Sequence, residues 1–435
     1  MPQRKIPGGE MLGVYLEPIP AESIRVGSLL RDAAGRVSFI VDESYIARGP
    51  GRPLLSLTFY DRRAEEGTLA RLRDPHNKLG ALDSLPPFFA NLLPEGVLYD
   101  IVESQLPFDE RNAFGMIKRL GTDLPGAVVI RPEGTYLEKI SDLPEYRKAA
   151  ENSEGNPLIK FSLAGVQLKF SMVKSGDLLT MPASGTGGRF IVKFPSQTYP
   201  LLPEIEYSAM RLAEAAGVRI ADIELVSTAN LQGINDTFLS TGRHVLCVER
   251  FDRSQERRIH MEDFAQILEA VGNRKYHKGN IDTEFHVIAQ FTVNPVTSVL
   301  EMIRRVTVDI MLGNGDNHLK NTSLIYPDGR TPELSPAYDI VPTVYFNPDD
   351  TLALKFGGKR RFESVGEHQF ERLALFVGIE ARVLVKQVRT TIERAVAAWP
   401  TLLRTLPWPD EVRQCLAVRW ERLPLVQGRP NPFTP

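Results

Sequence analysis

The sequence has little of several features that mark specialised classes of protein. It contains two cysteines in 435 residues, and Cys247 and Cys415 stand in no metal-ligand spacing, which argues against a disulfide framework or a zinc site. The 52 basic and 54 acidic residues nearly cancel, so no overall attraction to nucleic acid or to a membrane is expected. No run approaches about eighteen uninterrupted apolar residues. These absences predict a protein of the reducing cytoplasm with no membrane partner.

Hydrolase motifs are missing as well. The chain has no Gly-x-Ser-x-Gly and no His-Glu-x-x-His sequence, and its seven histidines show no paired spacing. What is present is ordinary for a globular protein, with 43% hydrophobic and 24% charged residues. The length indicates roughly two to three domains.

Hydrophobic periodicity predicts a β-rich start, a sheet interrupted by one helix, and a helical end. Strands are expected at 13–16, 37–41, 54–59, 158–161, 167–173, 178–181, 189–194, 221–226 and 244–249. Helices are expected at 96–105, 204–217, 261–271, 299–313 and 384–395, the last ending before Pro400, and the tail from Gln427 is expected to be poorly ordered. The order predicts an α+β fold with two lobes, like that of a protein kinase. The domains expected are 1–110, 111–253 (the N-lobe) and 254–435 (the C-lobe).

The polar stretch at 311–326 is the most informative part of the chain. It places Asp316 five residues before Asn321, between an apolar helical pattern and a short β-prone run. Kinase catalytic loops use this spacing, with the Asp facing the substrate hydroxyl and the Asn facing a magnesium ion. The spacing alone is weak evidence, because a kinase site also needs a lysine for the nucleotide phosphates and a second magnesium-binding acid.

Lys193 lies in the predicted strand 189–194 between apolar neighbours. A lysine in a half-buried strand needs a partner for its charge, and in kinases such a lysine holds the nucleotide phosphates. The alternative is a lysine that reaches solvent from an edge strand. Glu204 and Glu206, at the start of the following helix, are the candidate partners, and Glu206 is preferred.

Asp339 follows the strand after the catalytic-loop candidate, between apolar residues. This is the chain position of the magnesium-binding Asp of kinases. An Asx turn or a helix cap before Pro342 is the alternative interpretation. The order Lys193, Asp316, Asn321, Asp339 is the order of the corresponding kinase residues.

Two segments are candidates for a phosphate-binding loop. The glycine-rich residues 184–188 match no phosphate-loop motif and precede a strand, so a hairpin turn is favoured there. Residues 161–169 are the better candidate, because Gly165 allows close backbone approach, Ser162 offers a hydroxyl and Lys169 adds charge.

Taken together, these motifs resemble those of full-length HipA-type serine/threonine kinases, the toxin half of bacterial HipA/HipB toxin–antitoxin pairs. The matching segments, in family order, are 88–96, 162–167, 191–195, 248–253, 260–264, 315–321 and 337–342.

The resemblance implies roles for individual residues. Asp316 would be the catalytic residue, and Asn321 and Asp339 would hold Mg²⁺. ATP would be bound by the phosphate loop, by Lys193, by the hinge and by two residues of the catalytic loop. The implied nucleotide-binding residues are Ser162, Ala164, Gly165, Val166, Gln167, Lys193, Glu249, Arg250, Phe251, His318 and Lys320. Ser162 would also be the autophosphorylation site.

The resemblance also implies partners. Family members phosphorylate an aminoacyl-tRNA synthetase, typically the glutamyl enzyme, and bind a HipB-like helix-turn-helix antitoxin, through which they reach operator DNA. The loop sequence Gly315-Asp-Asn-His318 departs mildly from the usual family pattern, which leaves the choice of substrate open. A pseudokinase that only binds an antitoxin and a small-molecule kinase are the alternatives.

Overall fold

The computed structural model has an α+β fold and describes residues 10–19, 22–133, 168–176, 178–180, 187–195, 198–199, 201–234, 242–254 and 257–434. Within these residues fourteen strands form three sheets. The strands are β1 (Glu10–Ile19), β2 (Glu22–Arg31), β3 (Arg36–Val41), β4 (Leu79–Leu82), β5 (Val128–Pro132), β6 (Lys169–Ser175), β7 (Leu178–Thr180), β8 (Phe190–Lys193), β9 (Ile223–Ser227), β10 (Leu231–Gln232), β11 (His244–Glu249), β12 (His260–Asp263), β13 (Ser323–Tyr326) and β14 (Glu333–Leu334).

The α-helices in the described residues are short in the first third of the chain and long in the last. They are α1 (Glu43–Ile46), α2 (Glu65–Arg73), α3 (Pro87–Ala90), α4 (Val97–Ser104), α5 (Ala113–Leu120), α6 (Leu202–Ala215), α7 (Phe264–Ile267), α8 (Ile281–Phe291), α9 (Pro295–Leu312), α10 (Glu367–Val377), α11 (Ala381–Leu402) and α12 (Asp410–Trp420).

The first sheet has the order β4-β3-β2-β1-β5, and every neighbouring pair is antiparallel. Its last strand, β5, lies beyond residue 110, where the sequence placed the first boundary. It pairs with β1 from Leu12↔Pro132 to Leu16↔Val128. We therefore propose that the N-terminal unit extends to the end of β5. Residues 10–133, the described residues up to that point, are called the N-terminal unit.

The second sheet, in the order β10-β7-β6-β8-β11-β9, forms the N-lobe, and helix α6 packs against β11 and β9. The antiparallel register of β6 with β8 sets Lys169 opposite Lys193. Side chains of directly opposed residues lie on the same face of a sheet. Two lysines therefore lie side by side on the face that also receives α6.

The C-lobe is built around α9. Its apolar face, Val299, Met302, Ile303, Val306 and Ile310, is fully buried, as the 3.6-residue period predicts. The helix ends at Gly313, which adopts a left-handed conformation with φ +69°. A Cβ on Gly313 would also lie 2.4 Å from Cγ2 of Val344, so this turn into the following loop requires glycine.

Four local predictions are wrong, and long-range contacts explain three of them. Residues 54–59 form no strand but end in a 3₁₀ turn at Leu57–Phe59, where Glu262 accepts the backbone N–H of Leu57 at 2.9 Å. Residues 260–263 are strand β12, paired with β13, and only Phe264–Ile267 is helical. Helix α11 continues through Pro400 to Leu402.

The tail is ordered as far as residue 434, which is the fourth correction. Phe433 is 1% exposed. Its ring centroid lies 5.5 Å from that of Trp399 and 6.0 Å from that of Trp420, and Arg413 Nε donates to its carbonyl at 2.8 Å. Aromatic burial of this kind outweighs the turn-forming composition of the segment.

Two large hydrophobic cores and one small cluster, Ala221, Leu246 and Val248, stabilise the described residues. One large core joins the N-terminal unit to the N-lobe sheet and includes Leu16, Phe89, Phe170 and Val192. The other fills the C-lobe and takes in α6. No helix in the described part of the chain combines the length and the apolar character needed to cross a bilayer.

Candidate active site

Lys193, Glu206 and Asp339 form a buried ion-pair cluster between the lobes. Lys193 Nζ donates to the carboxylates of both Glu206, on α6, and Asp339, from the C-lobe. The exposed fractions of the Lys193 and Glu206 side chains are 6% and 1%. The preference for Glu206 is confirmed, since Glu204 instead accepts a hydrogen bond from His244 Nδ1 at 2.8 Å. A strand lysine paired with a helix glutamate is the arrangement that active protein kinases require.

Lys169 adds a second cation to this cluster. Burial lowers the pKa of Lys169, while Asp339 and Glu206 oppose that shift. Although burial also disfavours charged Lys193, its two carboxylate partners raise the pKa of that ammonium. Burial works against ionised Asp339 too, but the two lysines hold the pKa of its carboxyl at about 2. At neutral pH the site therefore presents an ionised Asp339 between two lysines.

Asp339 has φ +57°, a left-handed conformation that is uncommon for a residue with a side chain. Its neighbour Tyr338 fixes the segment by donating from its hydroxyl to the carbonyl of Lys320 at 2.9 Å. The segment that carries Asp339 is thereby joined to the loop that carries Asn321. Strain of this kind is typical of functional sites.

The catalytic-loop candidate is closed by hydrogen bonds across its ends. Asn321 Nδ2 donates to the backbone carbonyl of Asp316 at 2.8 Å, and the N–H of Asn321 donates to the carbonyl of His318 at 2.8 Å. Tyr276 donates from its hydroxyl to Asp316 Oδ1 at 3.0 Å. The Asp316 side chain is 55% exposed, yet its partly buried surroundings raise its pKa against the opposing hydrogen bond from Tyr276. The carboxylate is oriented by Tyr276 and remains accessible.

Asp309 holds the catalytic-loop candidate by hydrogen bonds to two of its asparagine side chains. This role was not predicted from the sequence. Asp309 lies in the last turn of α9, where its two carboxylate oxygens accept from Asn314 Nδ2 at 2.8 Å and from Asn317 Nδ2 at 2.7 Å. Burial raises the pKa of Asp309 to about 6, against these two hydrogen bonds. The signal was present in the sequence, since a carboxylate near a helix C-terminus opposes the macrodipole and needs another reason to be there.

Glu284, on α8, is a second buried carboxyl group of the C-lobe, and its protonation can be tested. Burial raises the pKa of Glu284 to about 8, although a hydrogen bond with Thr322 opposes the shift. The folded state therefore keeps a proton on Glu284 that the unfolded chain has lost above its ordinary pKa. The contribution of Glu284 to stability thus falls as pH rises from about 4.5 to about 8, by up to about 1.4 kcal/mol per pH unit. We expect Glu284→Gln to remove this decline. Urea unfolding of both proteins at pH 5, 6, 7 and 8 measures it, and parallel stability curves would contradict the assignment.

His318 and Lys320 are both turned into the protein. The His318 ring is edge-on to Tyr276 at 5.0 Å between centroids, and burial lowers its pKa to about 3. It is therefore neutral, which fits a role in orienting the loop. Lys320 Nζ donates to the carbonyl of Asn91 at 3.2 Å and pairs with Glu95 at 3.1 Å. A nucleotide role for Lys320 remains a prediction, and the ammonium is already engaged by the N-terminal unit.

The hinge candidate Glu249–Phe251 connects the lobes. The Arg250 side chain is 0% exposed and pairs with Asp123 and with Asp252, each at 2.9 Å. Its guanidinium is thus committed to the protein, its backbone N–H donates to the carbonyl of Arg189 at 2.9 Å, and its carbonyl accepts from the N–H of Arg253 at 3.1 Å. A nucleotide role for Arg250 remains a prediction. Phe251 lies against Tyr338, with ring centroids 5.8 Å apart. The predicted strand 158–161 and the phosphate-loop candidates Ser162, Ala164, Gly165, Val166 and Gln167 lie outside the described residues.

A cavity of about 360 Å³ opens beside Asp316. Its lining includes Tyr276, Thr343, Asp350 and Arg360 but neither Lys193 nor Asp339. It therefore adjoins the exposed carboxylate on a side other than the ion-pair cluster. A space of this size next to Asp316 is large enough for one amino-acid side chain.

The oxygen donors of the site fit a magnesium ion. No cluster of three or more His, Cys, Asp or Glu able to hold a metal occurs among the described residues. Asp339 uses only Oδ1 for Lys193, and Asn321 uses its amide nitrogen for Asp316. One carboxylate oxygen and one amide oxygen remain, which are hard ligands of the kind that Mg²⁺ takes together with nucleotide phosphates.

Comparison with known proteins decides the family. The profile of HipA-like C-terminal domains matches residues 161–399, and the profile of HipA N-terminal domains matches residues 18–131. The chain belongs to the HipA family. The family assignment and the two-lobed kinase-like fold predicted from the motifs are confirmed.

Individual HipA relatives match along most of the chain. The protein Y4dM of Sinorhizobium fredii is 37% identical over 391 residues, which cover 89% of this chain and 92% of that one. The serine/threonine-protein kinase toxin HipA of Shewanella oneidensis is 26% identical over 371 residues, covering 78% and 81%. The solved complex of Shewanella oneidensis HipA with HipB and operator DNA matches with a TM-score of 0.69 at 23% identity, over 95% of this chain and 97% of that one. The last match shows a shared fold.

Proposed function

We propose that this HipA-family protein is a serine/threonine protein kinase that transfers the γ-phosphoryl group of Mg²⁺–ATP to a protein hydroxyl. The observation that carries the proposal is the Lys193 ammonium held by both Glu206 and Asp339, next to a loop that presents Asp316. A non-catalytic module has no need for this costly buried arrangement.

Each residue has a distinct task in the proposed reaction. Lys193 orients the nucleotide phosphates, and Glu206 fixes the position of its ammonium. Asp316, aligned by Tyr276, accepts the hydrogen bond of the acceptor hydroxyl and takes its proton as the phosphoryl group is transferred. Asn321 and Asp339 would hold Mg²⁺, which neutralises phosphate charge when bound. The cavity beside Asp316 would receive the acceptor residue.

The family supports a toxin role. We propose that the protein substrate is an aminoacyl-tRNA synthetase, with the glutamyl enzyme as the first candidate, so that phosphorylation stops translation. We also propose a HipB-like helix-turn-helix antitoxin as partner, since the solved Shewanella oneidensis assembly contains HipA, HipB and operator DNA. The net charge of −2 favours contact with DNA mainly through that partner.

A direct test incubates the purified protein with γ-labelled ATP, magnesium and a bacterial lysate, with Asp316→Ala in parallel. We expect label in a protein band with wild type and in none with the variant. Label only in a small-molecule fraction would favour a metabolite kinase. If no fraction is labelled, and the protein does not label itself, the proposal is contradicted. The pseudokinase alternative would then be favoured.

We further propose that Ser162 is phosphorylated by the protein itself and that this switches the site off. Roughly two added negative charges in a phosphate-binding loop would repel nucleotide phosphates. Mass spectrometry of wild type and Asp316→Ala made in the same cells tests the idea. We expect phosphate on Ser162 in wild type only, and phosphate on Ser162 of the inactive variant would contradict self-modification.

A further inference from the structure

The motif at residues 88–96 of the N-terminal unit supplies none of the residues assigned to the proposed reaction. Residues 88–96 begin in the short helix α3, continue through the buried side chains of Asn91, Leu92 and Leu93, and reach Glu95 just before α4. Gly96 turns the chain with φ +57°. Packing explains the apolar residues of this motif but does not explain Glu95.

Glu95 is held between two buried lysines of the C-lobe. Its Oε2 pairs with Lys275 Nζ at 2.6 Å and its Oε1 with Lys320 Nζ at 3.1 Å. The exposed fractions of the lysine side chains are 6% and 4%. Lys320 Nζ also donates to the carbonyl of Asn91 at 3.2 Å. The same motif therefore contacts Lys320 twice.

Both lysines are neighbours in sequence of residues that define the active site. Lys320 directly precedes Asn321, and Lys275 directly precedes Tyr276, whose hydroxyl donates to Asp316 Oδ1 at 3.0 Å. The N–H of Leu319 donates to the carbonyl of Lys275 at 3.4 Å, which links the two segments. Holding Lys275 and Lys320 in place thus holds both sides of the catalytic loop.

The charges make this contact more than a surface ion pair. Burial opposes ionisation of Glu95, but Lys320 and Lys275 together hold the pKa of its carboxyl at about 2. Asp263 also faces Lys320, although burial raises its own pKa to about 7. Removal of the Glu95 charge would leave two buried ammonium groups facing each other, and their repulsion would displace the segments that carry them.

We propose that Glu95 is a positioning residue of the kinase site, through which the N-terminal unit fixes the catalytic loop by neutralising Lys275 and Lys320. The proposal rests on the kinase function proposed above. It assigns Glu95 no contact with ATP or acceptor. The N-terminal unit is then a structural requirement for phosphoryl transfer, in addition to the hydrophobic core that it shares with the N-lobe sheet.

The test compares Glu95→Gln, which keeps the shape and removes the charge, with Glu95→Asp, which keeps the charge. Glu66→Gln is the matched control, because Glu66 is an exposed carboxylate of the same unit. We expect Glu95→Gln to lower kcat about 10–100-fold, the usual effect of losing a supporting partner, with a smaller change in KM for ATP. Glu95→Asp should recover part of the loss, and Glu66→Gln should match wild type. Thermal unfolding confirms that each variant is folded.

A second measurement does not depend on activity. Amide hydrogen–deuterium exchange of residues 272–278 and 314–322 should become several-fold faster in Glu95→Gln, with little change elsewhere in the C-lobe. Unchanged exchange in these segments, or wild-type kcat in folded Glu95→Gln, would overturn the proposal. If wild type itself transfers no phosphate, the kinase function fails, and the exchange result still decides whether Glu95 positions the loop.

Discussion

Replacing Asp316 with alanine is expected to lower kcat about 10²–10⁴-fold, the range that a positioned general base contributes. The reason is geometric. Asp316 is the exposed carboxylate that Tyr276 aligns at the mouth of the cavity, whereas Asp350, in the same cavity, is already engaged by the hydroxyl of Thr343. Initial rates of transfer from labelled ATP measure the effect.

The control for this prediction is Asp349→Ala, which removes an exposed carboxylate close in sequence to the cavity. It should retain wild-type kcat. Binding of Mg²⁺–ATP, measured by calorimetry, should persist in Asp316→Ala because Lys193, Asn321 and Asp339 remain. An Asp316→Ala protein with more than about a tenth of wild-type kcat would rule out the assigned role.

Replacing Lys193 with methionine is expected to abolish productive nucleotide binding and to destabilise the fold by about 3–5 kcal/mol, the usual cost of breaking a buried ion pair from one side. Glu206 and Asp339 would then face each other without their shared cation. Urea unfolding gives the stability, and kcat/KM for ATP gives the function. Lys359→Met, at an exposed lysine, is the control.

A double variant separates the two effects. Lys193→Met combined with Glu206→Gln removes the orphaned carboxylate, so stability should partly recover. Activity should not recover, because the phosphate contact is still missing. Equal stability of the single and double variants would show that the Glu206 charge is not what the lysine neutralises.

Local sequence was enough to find the centre of this site. The spacing of Asp316 and Asn321 and the apolar period that ends at Gly313 are properties of a single segment. The sequence also named Glu204 and Glu206 as the candidate partners of Lys193. Because residues two apart on a helix lie on different faces, only one of them can face the lysine, and the structure shows that it is Glu206. Glu204 accordingly pairs with His244 instead.

The features that sequence reasoning missed depend on residues distant in the chain. Strand β12 exists because β13 pairs with it about sixty residues later, and no local period shows that pairing. The Arg250 guanidinium is buried because Asp123 lies across from it. Lys320 turns away from solvent because Glu95 of the N-terminal unit reaches it. The first of these contacts joins two strands of the C-lobe, and the other two join separate units of the fold.

The central claim is that Lys193, Asn321 and Asp339 form one magnesium–nucleotide site next to Asp316. A crystal structure with Mg²⁺ and a non-hydrolysable ATP analogue tests it most directly. We predict the metal on the oxygens of Asn321 and Asp339, the phosphates at Lys193, and the γ-phosphate facing the cavity beside Asp316. A nucleotide bound elsewhere, or a metal that touches neither Asn321 nor Asp339, would contradict the claim.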